Sequence, residues 1–231
     1  MRDLVLLHGF TQTGRSWAPV IAELRGRYRC FAPDLPGHGD AQGRRPATFD
    51  AVAAYLAALK LERFTLCGYS MGGRLALDFA LRHPARVERL VLIGATPGIA
   101  DAAERAERRR ADLALADRIE AIGLEAFVDE WGAQPLFAGQ PRGVAALARE
   151  DRLRSTASGL AAALRGMGTG AMTPLGDRLG ELAMPVTWVV GEHDAKFRAL
   201  APPGAVVIPG AGHAAHLEAP EAVAGVLNSR H

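Results

Sequence analysis

Short, nearly continuous apolar runs alternate along this chain with longer stretches in which apolar residues recur every three or four positions. The runs are LVLL (4–7), YRCFAP (28–33), RFTLCG (63–68), RLVLIG (89–94), VTWVV (186–190) and AVVIP (205–209). Trp17 to Leu24, Phe49 to Leu59 and Arg74 to Leu81 carry the helical period. A strand that is apolar on both sides must be covered on both sides, and strands joined through helices run parallel. The pattern predicts an α/β chain: a mostly parallel sheet flanked by helices.

One stretch breaks the rhythm. From about Pro97 to about Thr173 no run reads as a strand, and the text is rich in Ala, Arg, Glu and Leu. GMGTG (166–170) reads as its flexible exit. A helical insertion of this length between two strands predicts a cap over the carboxyl ends of the sheet, where open α/β sheets bind ligands. The predicted organisation is a core of residues 1–96 and 174–231 with a cap of residues 97–173.

Composition changes this picture little. The 231 residues are 49% hydrophobic, enough for one buried core, and 27 basic against 25 acidic residues give a net charge of +2. No whole-chain field points to nucleic acid or a membrane surface. The two cysteines, Cys30 and Cys67, lie in strand runs and read as buried free thiols. The apolar stretch Leu4 to Leu7 is too short for a signal-peptide core, and no run approaches the roughly 18 residues of a membrane helix, so a cytoplasmic protein is expected. The chain starts directly at the strand before His8, which predicts a sheet of about six strands. Histidines are scattered without cysteines or carboxylates at ligand spacing, so no metal is expected.

Chemistry concentrates at Gly68-Tyr69-Ser70-Met71-Gly72, a G-x-S-x-G pentapeptide entered by a strand and left by a helical stretch. That context puts a serine on a tight strand-to-helix turn, at a helix N-terminus that favours negative charge. Ser70 is the predicted nucleophile. The oxyanion hole is expected from the backbone N–H groups of Met71 and of Phe10, in the His8-Gly9-Phe10 loop after the first strand. His8 itself reads as a structural residue. A serine needs a base, and the base needs an orienting carboxylate. His213, in GAGH after the last strand, is preferred as base over His216. Asp194, after VTWVV, is preferred as the acid, with Glu192 and Asp177 as alternatives. His38 and His83 read as solvated, and Asp34 as a tie within its own loop.

LHGF, DLPGHG, GYSMGG and GAGH together resemble the α/β-hydrolase superfamily over nearly the whole chain. GYSMGGRLAL, PGIADAAERAERRRAD, WGAQPLF and GEHDAKFRAL further resemble the 2-succinyl-6-hydroxy-2,4-cyclohexadiene-1-carboxylate synthases of menaquinone biosynthesis. The resemblance implies an α/β-hydrolase fold with a helical cap and a lyase that eliminates pyruvate from a small polyanionic carboxylate, with no cofactor. It implies substrate-binding roles for Arg74, Arg108, Arg152, Tyr69 and Trp131; Arg154 lies close enough to Arg152 to compete for its place. Guanidinium groups suit that substrate, because each grips a carboxylate with two parallel hydrogen bonds. Arg105, Arg109 and Arg110 read as an ordinary solvated helix face. One departure is Gly132, where the family often has an aromatic residue after the tryptophan. The same triad serves ester hydrolysis, so a carboxylesterase or carbon–carbon bond hydrolase remains the alternative.

Overall fold

Residues 1–229 are described by the computed structural model, and every one of the six apolar runs is a strand in it. β1 (Arg2–Leu7), β2 (Tyr28–Phe31), β3 (Phe64–Tyr69), β4 (Val87–Ile93), β5 (Val186–Gly191) and β6 (Val206–Ile208) form one parallel sheet in the order β2-β1-β3-β4-β5-β6. The helices are α1 (Ala18–Glu23), α2 (Phe49–Ala57), α3 (Met71–Arg82), α4 (Ala102–Ile122), α5 (Leu124–Gly132), α6 (Arg142–Arg152), α7 (Ala157–Met167), α8 (Ala195–Leu200), α9 (Ala215–Glu218) and α10 (Pro220–Asn228).

The unbroken apolar text of the strands follows from their two covered faces. Successive side chains of a strand point to opposite faces. Val5 and Leu7 of β1 and Leu90 and Leu92 of β4 therefore enter the core layer shared with α2 and α3. Leu4, Leu6, Val91 and Ile93 enter the other, with Trp17, Val20, Val223 and Leu227. All of these are fully buried or nearly so, at about 1.5–3 kcal/mol for each large side chain. Cys67 of central strand β3 is buried and free; Cys30, read as buried, is only half-buried because β2 is an edge strand.

Between β4 and β5 the chain forms α4 to α7 and no strand. Asp101 starts α4 by accepting the Glu104 N–H at 2.7 Å, and Gly123, at φ 81°, ends it. Thr156 caps α7 through the Gly159 N–H at 3.1 Å. Ala116, Ile119, Phe127, Leu160 and Leu164 give these helices their own apolar cluster, while Ala163 and Met167 of α7 reach the main core. The GMGTG exit differs from expectation. Its glycines are sites of close backbone approach rather than of flexibility: a Cβ on Gly166 would overlap the Ala47 carbonyl oxygen, and one on Gly170 the Arg109 backbone. Among the described residues no helix is long and apolar enough to cross a membrane.

Candidate active site

Ser70 sits alone between the last residue of β3 and the first of α3, with φ 51° and ψ −110°. Such a conformation costs a non-glycine residue about 1–3 kcal/mol, so neighbours must enforce it. The Ser70 N–H donates to the Ile93 carbonyl at 2.8 Å, and its own carbonyl accepts the Arg74 N–H at 3.1 Å. Gly72 admits the close pass of β1, since a Cβ there would overlap the Leu7 and His8 carbonyls. Strand and helix hold the serine outward at the carboxyl edge of the sheet.

His213, in the loop after β6, places Nε2 at 3.2 Å from the Ser70 hydroxyl. Its Nδ1 lies 2.6 Å from Asp194 Oδ2. A carboxylate only accepts, so Nδ1 carries the proton and Nε2 is free to take one from Ser70. Asp194 heads α8, where its other oxygen accepts the Phe197 N–H at 3.2 Å. Both members of the pair are buried, 2% and 5% exposed, and Phe197 packs on the imidazole at 4.5 Å between ring centres. The three residues chosen from sequence are in contact.

The competitors stand outside this triad. His216 is fully buried between Tyr69 at 4.3 Å and Trp17 at 4.8 Å, neither ring nitrogen has a partner among the described residues, and burial pulls its pKa down to about 3. Glu192 accepts the Gly210 N–H at 2.7 Å, and Asp177 is exposed. His8 accepts the Leu35 N–H on Nε2 at 2.9 Å and donates from Nδ1 to the Gly9 carbonyl, with burial lowering its pKa to about 4. Asp34 accepts the Gly14 and Asp40 N–H groups, both at 2.7 Å. His38 corrects the sequence reading: it is fully buried, not solvated. Its Nε2 accepts the Thr11 N–H at 3.3 Å, and burial, then His8, takes its pKa to about 3.

Among the described residues the N–H groups of Phe10 and Met71 donate to no group of the chain. The Phe10 side chain meets Trp131 edge-on at 5.3 Å and forms part of the wall beside Ser70.

Ser70 and His213 open into a cavity of about 930 Å³ between the sheet edge and α4, α5 and α7. Arg74 and Arg108 both line it. Arg74 is buried, donates to the Met167 carbonyl at 2.9 Å, and has its pKa lowered to about 10, first by burial and then by Arg108. Arg108 is held by Asp112 at 2.7 Å, and the second oxygen of Asp112 accepts the Gly170 N–H at 2.9 Å. Asp112 was not singled out from sequence, although its position one helical turn beyond Arg108 is a readable signal. Lys196 stands at the same cavity, two residues past Asp194, and also went unremarked.

Three expected contacts are placed differently from one another. Trp131 lines the cavity and also packs on Phe127 and Phe137, its ring N–H buried without a partner among the described residues. Tyr69 is buried beneath the site, its ring on His213 at 5.2 Å and its hydroxyl pKa pushed up by burial, and it does not reach the cavity wall. Arg152 stands one ring further back. It is 3% exposed, with its guanidinium 4.8 Å from the centre of Phe137, which itself packs on His213 at 6.2 Å. It borders a separate space of about 280 Å³ between α5 and α6. Arg154 pairs with Asp40 at 3.6 Å, well exposed on the Asp40 side. Of the expected bland arginines, Arg109 donates to the Arg165 carbonyl and Arg105 to the Ile99 and Ala100 carbonyls.

Residues 4–226 match the alpha/beta hydrolase family. A protein of Bacillus subtilis (strain 168) is 41% identical over 94% of this chain and 85% of its own length. The 2-succinyl-6-hydroxy-2,4-cyclohexadiene-1-carboxylate synthase of Enterobacter sp. (strain 638) is 37% identical, covering 97% of this chain and 89% of the relative. The solved structure of MenH from S. aureus superposes with a TM-score of 0.91 at 33% identity, over 98% of this chain and 91% of that one. The chain belongs to the alpha/beta hydrolase family and, within it, to the 2-succinyl-6-hydroxy-2,4-cyclohexadiene-1-carboxylate synthases.

Proposed function

We propose that this protein eliminates pyruvate from 2-succinyl-5-enolpyruvyl-6-hydroxy-3-cyclohexene-1-carboxylate to give 2-succinyl-6-hydroxy-2,4-cyclohexadiene-1-carboxylate in menaquinone biosynthesis. One observation carries the reading: an oriented serine–histidine pair opens into a cavity whose wall holds two guanidinium groups. The substrate is a polyanion with three carboxylates, and Arg74 and Arg108 supply permanent charge for it. Arg152 and Tyr69 act one layer behind, and Trp131 forms an apolar wall for the ring.

His213 withdraws the Ser70 proton, and the serine oxygen removes the proton from the ring carbon that bears the succinyl group. The electrons of that C–H bond pass onto the succinyl carbonyl oxygen, where the Phe10 and Met71 N–H groups stabilise the enolate. On collapse a double bond forms within the ring, the existing one shifts by one carbon, and the bond to the enolpyruvyl oxygen breaks. The leaving enolpyruvate gains a proton at carbon and becomes pyruvate. Asp194 keeps the imidazole in the required tautomer and offsets its positive charge. Residues 97–173 act as the cap that shields this chemistry from water. The reaction draws on side chains and backbone alone, with no cofactor, and suits a small-molecule enzyme of the cytoplasm.

Purified protein given the enolpyruvyl precursor should release pyruvate in step with precursor loss, and Ser70→Ala should abolish the release. Fast hydrolysis of a short p-nitrophenyl ester with no pyruvate from the precursor would instead favour the hydrolase reading. A thermophilic esterase of Thermogutta terrifontis shares the fold at 29% identity and a TM-score of 0.80.

A further inference from the structure

The loop that carries His213 has no regular partner strand, yet its imidazole must hold two contacts at once, to Asp194 and to Ser70. Glu218, the last residue of α9, reaches back across that loop. Its Oε2 accepts the Gly212 N–H at 2.6 Å and its Oε1 the Ala214 N–H at 3.1 Å. One carboxylate therefore brackets the histidine from both sides through the backbone. The fit is close: a Cβ on Gly212 would lie 3.0 Å from Oε2. A third donor comes from the cap, where Gln140 Nε2 lies 3.2 Å from Glu218 Oε1. Phe137, on the same cap stretch, packs on the His213 ring at 6.2 Å.

We infer that Glu218 is a positioning residue for His213, and that the Gln140 contact ties the position of the cap to the alignment of the catalytic histidine. The inference rests on the serine–histidine pair of the proposed function but not on the identity of the substrate. A carboxylate that accepts these two N–H groups fixes the Ala211–Gly212 and His213–Ala214 peptide planes, one on each side of the histidine, and charge-assisted bonds of this kind are the stronger class. Released from the bracket, the loop lets Nε2 drift from the serine, and a misplacement near 1 Å costs on the order of 100-fold in rate.

The test uses the full chain and a fluorophosphonate, which reports Ser70 activation whatever the natural substrate is. Second-order labelling rates would be measured from pH 6 to 9 for wild type, Glu218→Ala, Glu218→Gln and, as a control on a neighbouring exposed acid, Glu221→Ala. We expect a loss of at least about 30-fold for Glu218→Ala, a smaller loss for Glu218→Gln, whose amide oxygen still accepts one N–H, and no change for Glu221→Ala. The far-downfield proton signal of the His213–Asp194 contact should broaden or vanish in Glu218→Ala and persist in Glu221→Ala. If Glu218→Ala does not fold, Glu218→Gln decides: a wild-type labelling rate overturns the inference, and a loss confined to it supports it. A folded Glu218→Ala protein that labels at the wild-type rate also overturns it. Wild type that the probe fails to label removes the serine–histidine reading and this inference with it, whereas absence of pyruvate release with normal labelling counts against the lyase reading alone.

Discussion

Replacing Arg74 by methionine separates a carboxylate-binding arginine from a structural one. Arg74 is 9% exposed and lines the cavity, and among the described residues its one hydrogen-bond partner is the Met167 carbonyl, which leaves most of its five donors without a fixed acceptor. The cost of burying this charge is visible in its lowered pKa, about 10. A substrate carboxylate arriving at that guanidinium meets a group already stripped of water. Hydrogen bonds to charged groups contribute about 1.5–3 kcal/mol, and truncating one side of a buried charged pair costs about 2–5 kcal/mol. Arg74→Met should therefore lower kcat/KM for the enolpyruvyl precursor by roughly 30- to 5000-fold. A neutral p-nitrophenyl ester, which offers no carboxylate, should lose less than about threefold. The variant should stay folded, with a melting temperature equal to wild type or higher, because a well-packed methionine removes a desolvated charge. The assay couples pyruvate release to lactate dehydrogenase and follows nitrophenolate release separately. Equal losses on the two substrates would refute the carboxylate role and leave Arg74 as a brace between α3 and Met167.

Two further outcomes follow from the fold. His8, His38 and His216 are neutral and buried, with pKa values near 4, 3 and 3 against about 6.5 in an unfolded chain. The unfolded state binds more protons between those limits, so stability is complete above about pH 6.5 and falls as pH drops toward 4, by up to about 4 kcal/mol per pH unit when all three contribute. Urea denaturation at pH 7, 6, 5 and 4.5 checks this, and a flat unfolding free energy from pH 7 to 5 would contradict it. Gly166→Ala should drive α7 away from the Ala47 carbonyl and cost about 1–3 kcal/mol, lowering the melting temperature by roughly 3–10 °C; an unchanged melting temperature would restore the flexible-exit reading.

Much of this architecture was legible because its determinants are local. The two-sided burial of the strands is written directly in runs such as LVLL and RLVLIG, and the boundaries in the structure differ from those runs by at most two residues at either end. Ser70 was legible for a similar reason: a strand, a tight turn and a helix follow one another within nineteen residues, 64–82. His213 and Asp194 needed only their order after successive strands. Contacts set by tertiary packing were not readable. The placement of His38 depends on Thr11, 27 residues away, and nothing in DLPGHG states that the turn is covered. The glycines of GMGTG look alike whether they face open space or another backbone, and only packing against Ala47 and Arg109 distinguishes the two. Arg152 differs from Arg154 by two positions on the chain, yet one is buried behind Phe137 and the other reaches Asp40. Glu218 carried no signal in sequence, because two of its partners are backbone N–H groups and the third, Gln140, lies 78 residues away.

Whether Ser70 serves as a base or becomes acylated is the point on which the proposed chemistry turns. Rapid mixing of enzyme with the enolpyruvyl precursor, quenched over a single turnover and read by intact-protein mass spectrometry beside a pyruvate assay, addresses it directly. One pyruvate per enzyme with the protein mass unchanged throughout is the predicted result. An acyl adduct on Ser70, formed without stoichiometric pyruvate, would contradict it.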